Sequence, residues 1–502
     1  MLTVNSPDTT QTSCSAAVPA SFPSALVIIL LVGLIVRLGM WLWFSHVTPG
    51  IVDEKDYTLL ASNLLEHGEF AFDPGKPTAI RPPLYPFFVS GIYAIAGVEN
   101  FQAVRLVQAL LSLVNVWLLY WLGRDAFSHR VGLWAAGLYA FYPTALGFNN
   151  LILTEVLFTL LLTAASYGVV LYFQRERSGY LALSGILLGL AALTRSVVWL
   201  SPPFLAVFVI LTGRRSLMHR TGGAVLLVLA FALTIAPWAV RNSCLEKTFI
   251  TIDTMGGRNF MMGNYRYTPL YRSWDAISLK GEQVWYHEVF AVYPPEMLTT
   301  QGQIDKLALK QGMKFVREHP GLTILRDVIK FVDFWGLERE LVAGAARGYF
   351  GPIPSAVVVA GAGLIIAGYV GALFLGIFGI FFCPPPDRRL HWFFLLVIAF
   401  ICALHTVVFG HSRYHLPLMP LVLLYAAAGW MDCTTIWARR WGGRFAVALS
   451  VCLIFMLGWG WNAVAGDWDL IRNELDKWRL DHRPSARTGV ITCRGSLESP
   501  GG

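Results

Sequence analysis

Two neighbouring carboxylates, Asp53 and Glu54, open the stretch "VDEKDYTLLASNLLEHG", and a third, Glu155, stands in the apolar run "NNLILTEVLFTLLL". A lone carboxylate in such a run is expensive to bury. A second site acid facing Asp53 accounts for that cost better than a hydrogen bond to a neighbouring helix. Two acids converging on one pocket can orient an acceptor hydroxyl, hold a divalent cation, or divide the roles of base and stabiliser. Asp53 is the expected catalytic residue, with Glu54 and Glu155 beside it. Asp56 reads as a helix-capping acid, and Tyr57 joins the candidate site.

The matching cations are Arg81 in "IRPPLYPFF" and Arg413, followed by Tyr414, in "GHSRYHLPLMP". Arginine at a membrane surface more often snorkels toward headgroups than serves a site. These two break the charge bias of the rest of the chain, and a planar guanidinium suits a phosphate. Arg195 and Arg241, at the ends of two apolar runs, are further candidates for phosphate or headgroup contact. His411 and His415 stand four apart, the spacing of a helical metal pair. Pro417 disfavours a helix there and no third ligand is evident. His411 therefore stays a site candidate, no cofactor is certain, and a divalent cation is left open.

Positioning these residues falls to membrane spans. Of 502 residues, 55% are hydrophobic and 14% charged, a balance outside that of soluble domains. Runs able to cross roughly 30 Å of hydrocarbon occur at 24–45, 101–122, 131–148, 150–173, 197–212, 222–240, 355–382, 391–409, 416–437 and 445–465, with a shorter one at 180–193. The expected fold class is an all-α polytopic membrane protein of about eleven spans. Residues 1–23 lack the basic start of a cleavable signal, so the first span reads as a retained anchor.

Arginines cluster in five short loops: Arg124 and Arg130; Arg175 and Arg177; Arg214, Arg215 and Arg220; Arg388 and Arg389; Arg439, Arg440 and Arg444. The positive-inside rule places all five in the cytoplasm, which holds with a cytoplasmic N-terminal segment only if 84–97 is not a span. That segment reads as an interfacial or re-entrant helix. The resulting divisions are 1–23 inside, spans over 24–241 with an outer loop at 46–100, an extracytoplasmic segment at 242–353, spans over 354–465 and an outer tail at 466–502. The candidate charges then gather on the outer face of a multi-pass cell membrane protein. These loops account for the whole of the formal net charge of +8, so nucleic acid is not an expected partner. Seven cysteines show no metal spacing; Cys244 and Cys493, both expected outside, allow a disulfide without requiring one.

In order along the chain, "RPPLYPFF", "LTEVLFTLLL", "LTR", "PWAVRN", "GGRNFMMGN", "REHPG" and "SRYHLPLMPLVLLYAAAG", after the Asp-Glu pair, resemble the integral-membrane glycosyltransferases of family 39. These belong to the GT-C superfamily, with dolichyl-phosphate-mannose protein mannosyltransferases and lipid A aminoarabinose transferases. The resemblance runs from about 24 to 437. It implies a GT-C fold, a polyprenyl-phosphate-linked sugar donor and chemistry on the outer face. It carries the family's principal acid onto Asp53, the paired acid onto Glu54, the later acid onto Glu155, the basic residue before two prolines onto Arg81, and the Arg-Tyr pair onto Arg413 and Tyr414. The stretch 242–353 is too short for the large β-trefoil of the protein mannosyltransferases, so the acceptor is left as lipid, glycan or protein.

The reaction expected on this resemblance is sugar transfer with inversion: Asp53 as base, Glu155 positioning the acceptor or a cation, and Arg81 and Arg413 on the leaving phosphate. The rival is a polytopic transporter or flippase for a lipid-linked or anionic substrate. Carriers place key residues near the midplane in repeated halves, and neither feature is evident here.

Overall fold

A helix satisfies all its backbone groups within its own segment, which is what an apolar run in hydrocarbon requires. The computed structural model describes residues 23–271, Ser273, Ala276 and residues 290–465. Among these, eight helices are long and apolar enough to cross a membrane: Ser24–Trp43, Phe101–Ala126, Glu155–Arg175, Leu217–Leu245, Ser355–Phe382, Arg388–Val408, Ser412–Met431 and Gly443–Ala465. Two further expected spans, Gly179–Thr194 and Ser196–Thr212, are apolar but shorter. The chain is an all-α, multi-pass membrane protein. Among the described residues the only pairing of extended chain is one antiparallel bridge, Ala71 to Pro77.

The span expected at 131–148 is divided into His129–Ala140 and Pro143–Phe148. Tyr142 precedes a proline and is held extended, with ψ 114°. Pro143 then opens the next helix, where its missing N–H costs nothing. Arg37, buried inside the first span, closes the broken end. Its Nη1 donates to the carbonyls of Ala140 at 2.9 Å and Gly33 at 3.1 Å, and its Nη2 donates to Ser112 at 3.0 Å. The span expected from 150 begins only at Glu155, and the one expected at 416–437 stops at Met431.

The loop at 46–100 carries two helices, Val52–His67 and Leu84–Ala96. The first ends on Gly68, whose φ of 69° is the left-handed turn that glycine allows. The second has 13 residues, about 20 Å of helix against roughly 30 Å of hydrocarbon.

Beyond residue 245 lie helices Gly256–Gly263, Gln301–Glu318, Pro320–Phe334 and Glu340–Ala346. Gly257 sits where an added Cβ would come within 2.0 Å of the Asp305 carbonyl, so the "GGRN" turn needs glycine. Helix Pro320–Phe334 reverses the usual polarity: Arg326, Lys330 and Asp333 are buried while Ile324, Leu325 and Val328 are exposed. That is the polarity of a helix meeting lipid rather than water. Residues 1–22 and 466–502, Cys493 included, lie outside the described residues.

Candidate active site

The segment 149–154 breaks the helical run and hangs from side chains instead. Gln108 Nε2 donates to the carbonyls of Leu151 at 2.8 Å and Asn149 at 3.2 Å, and Arg105 Nε donates to that of Asn150 at 2.9 Å. The Ile152 amide donates to Glu54 Oε1 at 2.9 Å. The other Glu54 oxygen, Oε2, accepts from the amides of Gly50 at 3.0 Å and Ile51 at 3.1 Å. Glu54 thus caps the first turn of its helix and ties it to the chain entering Glu155. Its oxygens are spent on backbone, so Glu54 holds the turn that carries Asp53.

Asp53 makes no such backbone bonds and sits within a row of alternating charges. Arg81 Nη2 lies 2.7 Å from Asp56 Oδ2 and 2.8 Å from Asp53 Oδ1. Arg413 Nη2 donates to Asp53 Oδ2 at 2.7 Å. Arg413 Nε is 2.7 Å from Glu155 Oε1, an ionic contact without hydrogen-bond alignment, and Arg195 Nη1 donates to the same oxygen at 2.9 Å. The row reads Asp56, Arg81, Asp53, Arg413, Glu155, Arg195. Three acids neutralise three arginines.

Asp56, expected only to cap, is in fact the second anchor of Arg81, with Arg81 Nε donating to it at 3.1 Å. The two prolines after Arg81 explain the reach: they hold the chain out of helix before Leu84, so Arg81 points back at the Asp53–Asp56 turn.

Burial and charge compete at Asp53. Burial disfavours its ionised form, but Arg413 and Arg81 more than offset this and hold its carboxyl well below the usual carboxylate range. Tyr57 is buried, and the loss of water pushes its phenol up to about 12. Its ring lies 5.5 Å from the Arg81 guanidinium and edge-on to Tyr85. Glu155 is 1% exposed, and its Oε2 is buried without a hydrogen-bond partner.

Tyr414 stacks on His405 at 4.5 Å and lies under Arg195 at 5.0 Å. Arg195 follows the end of helix Gly179–Thr194 in extended conformation, which turns it toward Glu155. Arg241 takes a different place. It donates to the Thr78 carbonyl at 3.0 Å and stacks on Trp238 at 4.4 Å, bracing the loop behind Arg81. His411 faces Glu340 at 3.6 Å, whereas His415 turns to Glu338 at 3.0 Å. The two imidazoles face different carboxylates on a 3-10 turn and share no metal position. Among the described residues, no group of three or more His, Cys, Asp or Glu side chains could hold a metal ion. A divalent cation between Asp53 and Glu155 would also meet the guanidiniums already seated on them, so the donor set does not fit one.

Sequence reasoning missed Asp253. Its turn is pinned by the Thr254 amide donating to the Ala79 carbonyl at 3.0 Å and by the Met255 amide donating to Asp253 Oδ1 at 3.0 Å. Burial raises its carboxyl, which faces Ser196 and Arg81. The only signal was an Asp three residues before a Gly-Gly pair, too common to single out. A narrow apolar cleft with a volume of about 40 Å³ runs between helices Glu155–Arg175, Ser201–Thr212 and Arg388–Val408, lined by Leu162, Ala165, Val169, Phe204 and Phe400. It lies along the helix that Glu155 opens.

The fold and site define a polytopic membrane protein with an acid–arginine row at one end of its helices and an apolar cleft among them. Residues 80–240 match the family model described as dolichyl-phosphate-mannose-protein mannosyltransferase, a match that takes in Arg81, Glu155 and Arg195. No curated protein matches the chain in sequence. The archaeal oligosaccharyltransferase AglB from Archaeoglobus fulgidus, solved with an inhibitory peptide and a dolichol-phosphate, is similar in structure with TM-score 0.49 and 14% identity, over 94% of this chain and 61% of that one. ArnT from Cupriavidus metallidurans, bound to undecaprenyl phosphate, aligns with TM-score 0.42 and 13% identity, over 82% of this chain and 78% of that one. The chain thus spans about six-tenths of the length of the archaeal structure.

Proposed function

We propose that the protein is a membrane glycosyltransferase that moves a sugar from a polyprenyl-phosphate donor to an acceptor hydroxyl on the extracytoplasmic face. The observation that carries this reading is Arg413 seated between Asp53 and Glu155. The family match over 80–240 supports it, and the cleft along helix Glu155–Arg175 has the apolar lining that a lipid tail requires. The positive-inside bias of the five arginine loops supports the outer location.

In the reaction, the bond from the anomeric carbon to the phosphate oxygen breaks and a bond to the acceptor oxygen forms from the opposite side, inverting the centre. The bonding electrons leave with the polyprenyl phosphate, where Arg413 and Arg81 meet the developing charge. The acceptor proton passes to Asp53. In the free protein Asp53 is a weak base, because both its oxygens hold guanidiniums. An arriving phosphate competes for those same arginines, and each one drawn away restores basicity to Asp53. Donor binding therefore prepares the base. Glu155 keeps Arg413 and Arg195 in place throughout.

The test compares radiolabelled sugar transfer from a polyprenyl-phosphate donor into a lipid extract with substrate uptake by vesicles holding the same protein. Transfer without uptake is expected. Uptake without transfer would replace the enzyme with a carrier.

A further inference from the structure

Arg413 lies in the 3-10 turn Ser412–Leu418, which contains Pro417. Such a turn bonds its backbone poorly and does not by itself fix a side chain. What holds it is two residues on. His415 is 0% exposed, its ring between those of Tyr369 at 4.7 Å and Trp335 at 5.7 Å, nearly parallel to both. Its Nδ1 lies 2.6 Å from the Phe334 carbonyl and its Nε2 3.0 Å from Glu338 Oε1. The other oxygen of Glu338 accepts from Tyr142 Oη at 2.7 Å and from Thr144 Oγ1. Tyr142 and Thr144 begin the short helix leading into Glu155.

One buried carboxylate therefore grips both arms of the Arg413–Glu155 contact: the turn bearing Arg413 through His415, and the chain entering Glu155 through Tyr142 and Thr144. We infer that Glu338 and His415 are positioning residues that set the separation of Arg413 from Glu155 and Asp53. Neither touches the charge row. A buried carboxylate with partners on both oxygens resists displacement, since losing one leaves the rest unsatisfied. Aligning Arg413 to within a fraction of an ångström is what a transition-state partner requires.

This inference rests on the transferase reading, and its test has one arm that does not. In the purified full-length protein, phenylglyoxal modification of Arg413, followed by peptide mass spectrometry, reports whether the guanidinium is held. Glu338→Gln should speed that modification several-fold, while Arg389, paired with Asp387 elsewhere, reacts as in wild type. An unchanged rate at Arg413 would overturn the strut. If Glu338→Gln does not fold, the pair Tyr142→Phe and Thr144→Val, which removes only the donors to one oxygen, carries the same comparison.

The second arm is a double-mutant cycle on transfer rate. Glu338→Gln and Arg413→Lys should each slow transfer by about tenfold or more, and the double variant should be slower than Arg413→Lys by no more than about twofold. Additive losses would mean that Glu338 supports the fold generally rather than through Arg413. If modification at Arg413 changes while no protein, wild type included, transfers sugar, the strut stands and the transferase reading falls.

Discussion

Arg413 Nη2 lies 2.7 Å from Asp53 Oδ2 across 360 positions of sequence. The contact joins the first loop helix to the turn opening the seventh of the long apolar helices, and it is the link that makes one row of two separate charge clusters. If Arg413 neutralises the departing phosphate, Arg413→Ala should slow transfer by about a hundredfold or more. Arg413→Lys should be intermediate, because a lysine keeps the charge but cannot present two edges to Asp53 and Glu155 at once. Wild-type turnover in both variants would reduce Arg413 to a structural counter-ion.

The carboxylates of the loop are expected to separate by role. Asp53→Asn removes the base and should cost at least about 10²-fold in turnover with donor binding retained. Asp56→Asn removes one of the two anchors of Arg81 and should mainly raise the donor KM, by roughly tenfold or less. Glu54→Gln should act on folding, since a neutral amide cannot accept as strongly from three backbone amides. Transfer rate, donor binding and melting temperature measured on the three variants distinguish these outcomes. Full activity in Asp53→Asn would show the wrong carboxylate has been chosen.

What could be read from the sequence was the set of charges that hydrocarbon penalises. Asp53, Arg81, Glu155, Arg195 and Arg413 stand out because polar groups beside apolar runs need a reason, and the structure gathers all five at one end of the helices. Asp56 could not be read correctly, because its partner Arg81 lies 25 positions away and capping is the commoner fate of an acid near a helix start. Arg241 had the right residue type and the wrong neighbours. Glu338 was invisible and His415 stood out only as a possible metal partner of His411, because the meaning of both lies in contacts between segments that sequence spacing does not encode. The break before Pro143 was legible as a proline but was masked by the apolar run around it.

Asp305 gives a prediction in pH. Burial raises its carboxyl to about 6 from an ordinary 3.8, with the Arg258 amide opposing the shift. The folded protein keeps this proton to higher pH than the unfolded chain does. Between about pH 4 and pH 6 it therefore binds more protons, and this group's contribution to stability declines as pH rises through that window, then stays level. Asp305→Asn keeps an oxygen for the Arg258 amide and carries no charge to desolvate. Its melting temperature should match wild type near pH 4.5 and exceed it at pH 8. Equal stabilities at both pH values would mean that Asp305 is well solvated.

The apolar cleft gives the last test, because it asks for a lipid tail rather than a free phosphate. Ala165 lies on the cleft side of helix Glu155–Arg175, about three turns from Glu155. A larger side chain forced into a close-packed core costs about 1–3 kcal/mol. Ala165 is itself buried and the cleft holds only about 40 Å³, so Ala165→Phe should fill it, cost stability within that range and lower the melting temperature accordingly. The ring would occupy the path of a polyprenyl chain without touching the arginines. The KM for a long-chain donor should then rise severalfold, the cost of lost packing contacts, since a displaced tail passes into hydrocarbon rather than into water. A donor of the same sugar on a chain too short to reach Ala165 should be used as well by the variant as by wild type. Equal KM for the long-chain donor in both proteins would move the tail to another face of the bundle. A parallel loss with both donors would mean that the ring had disturbed Glu155 instead.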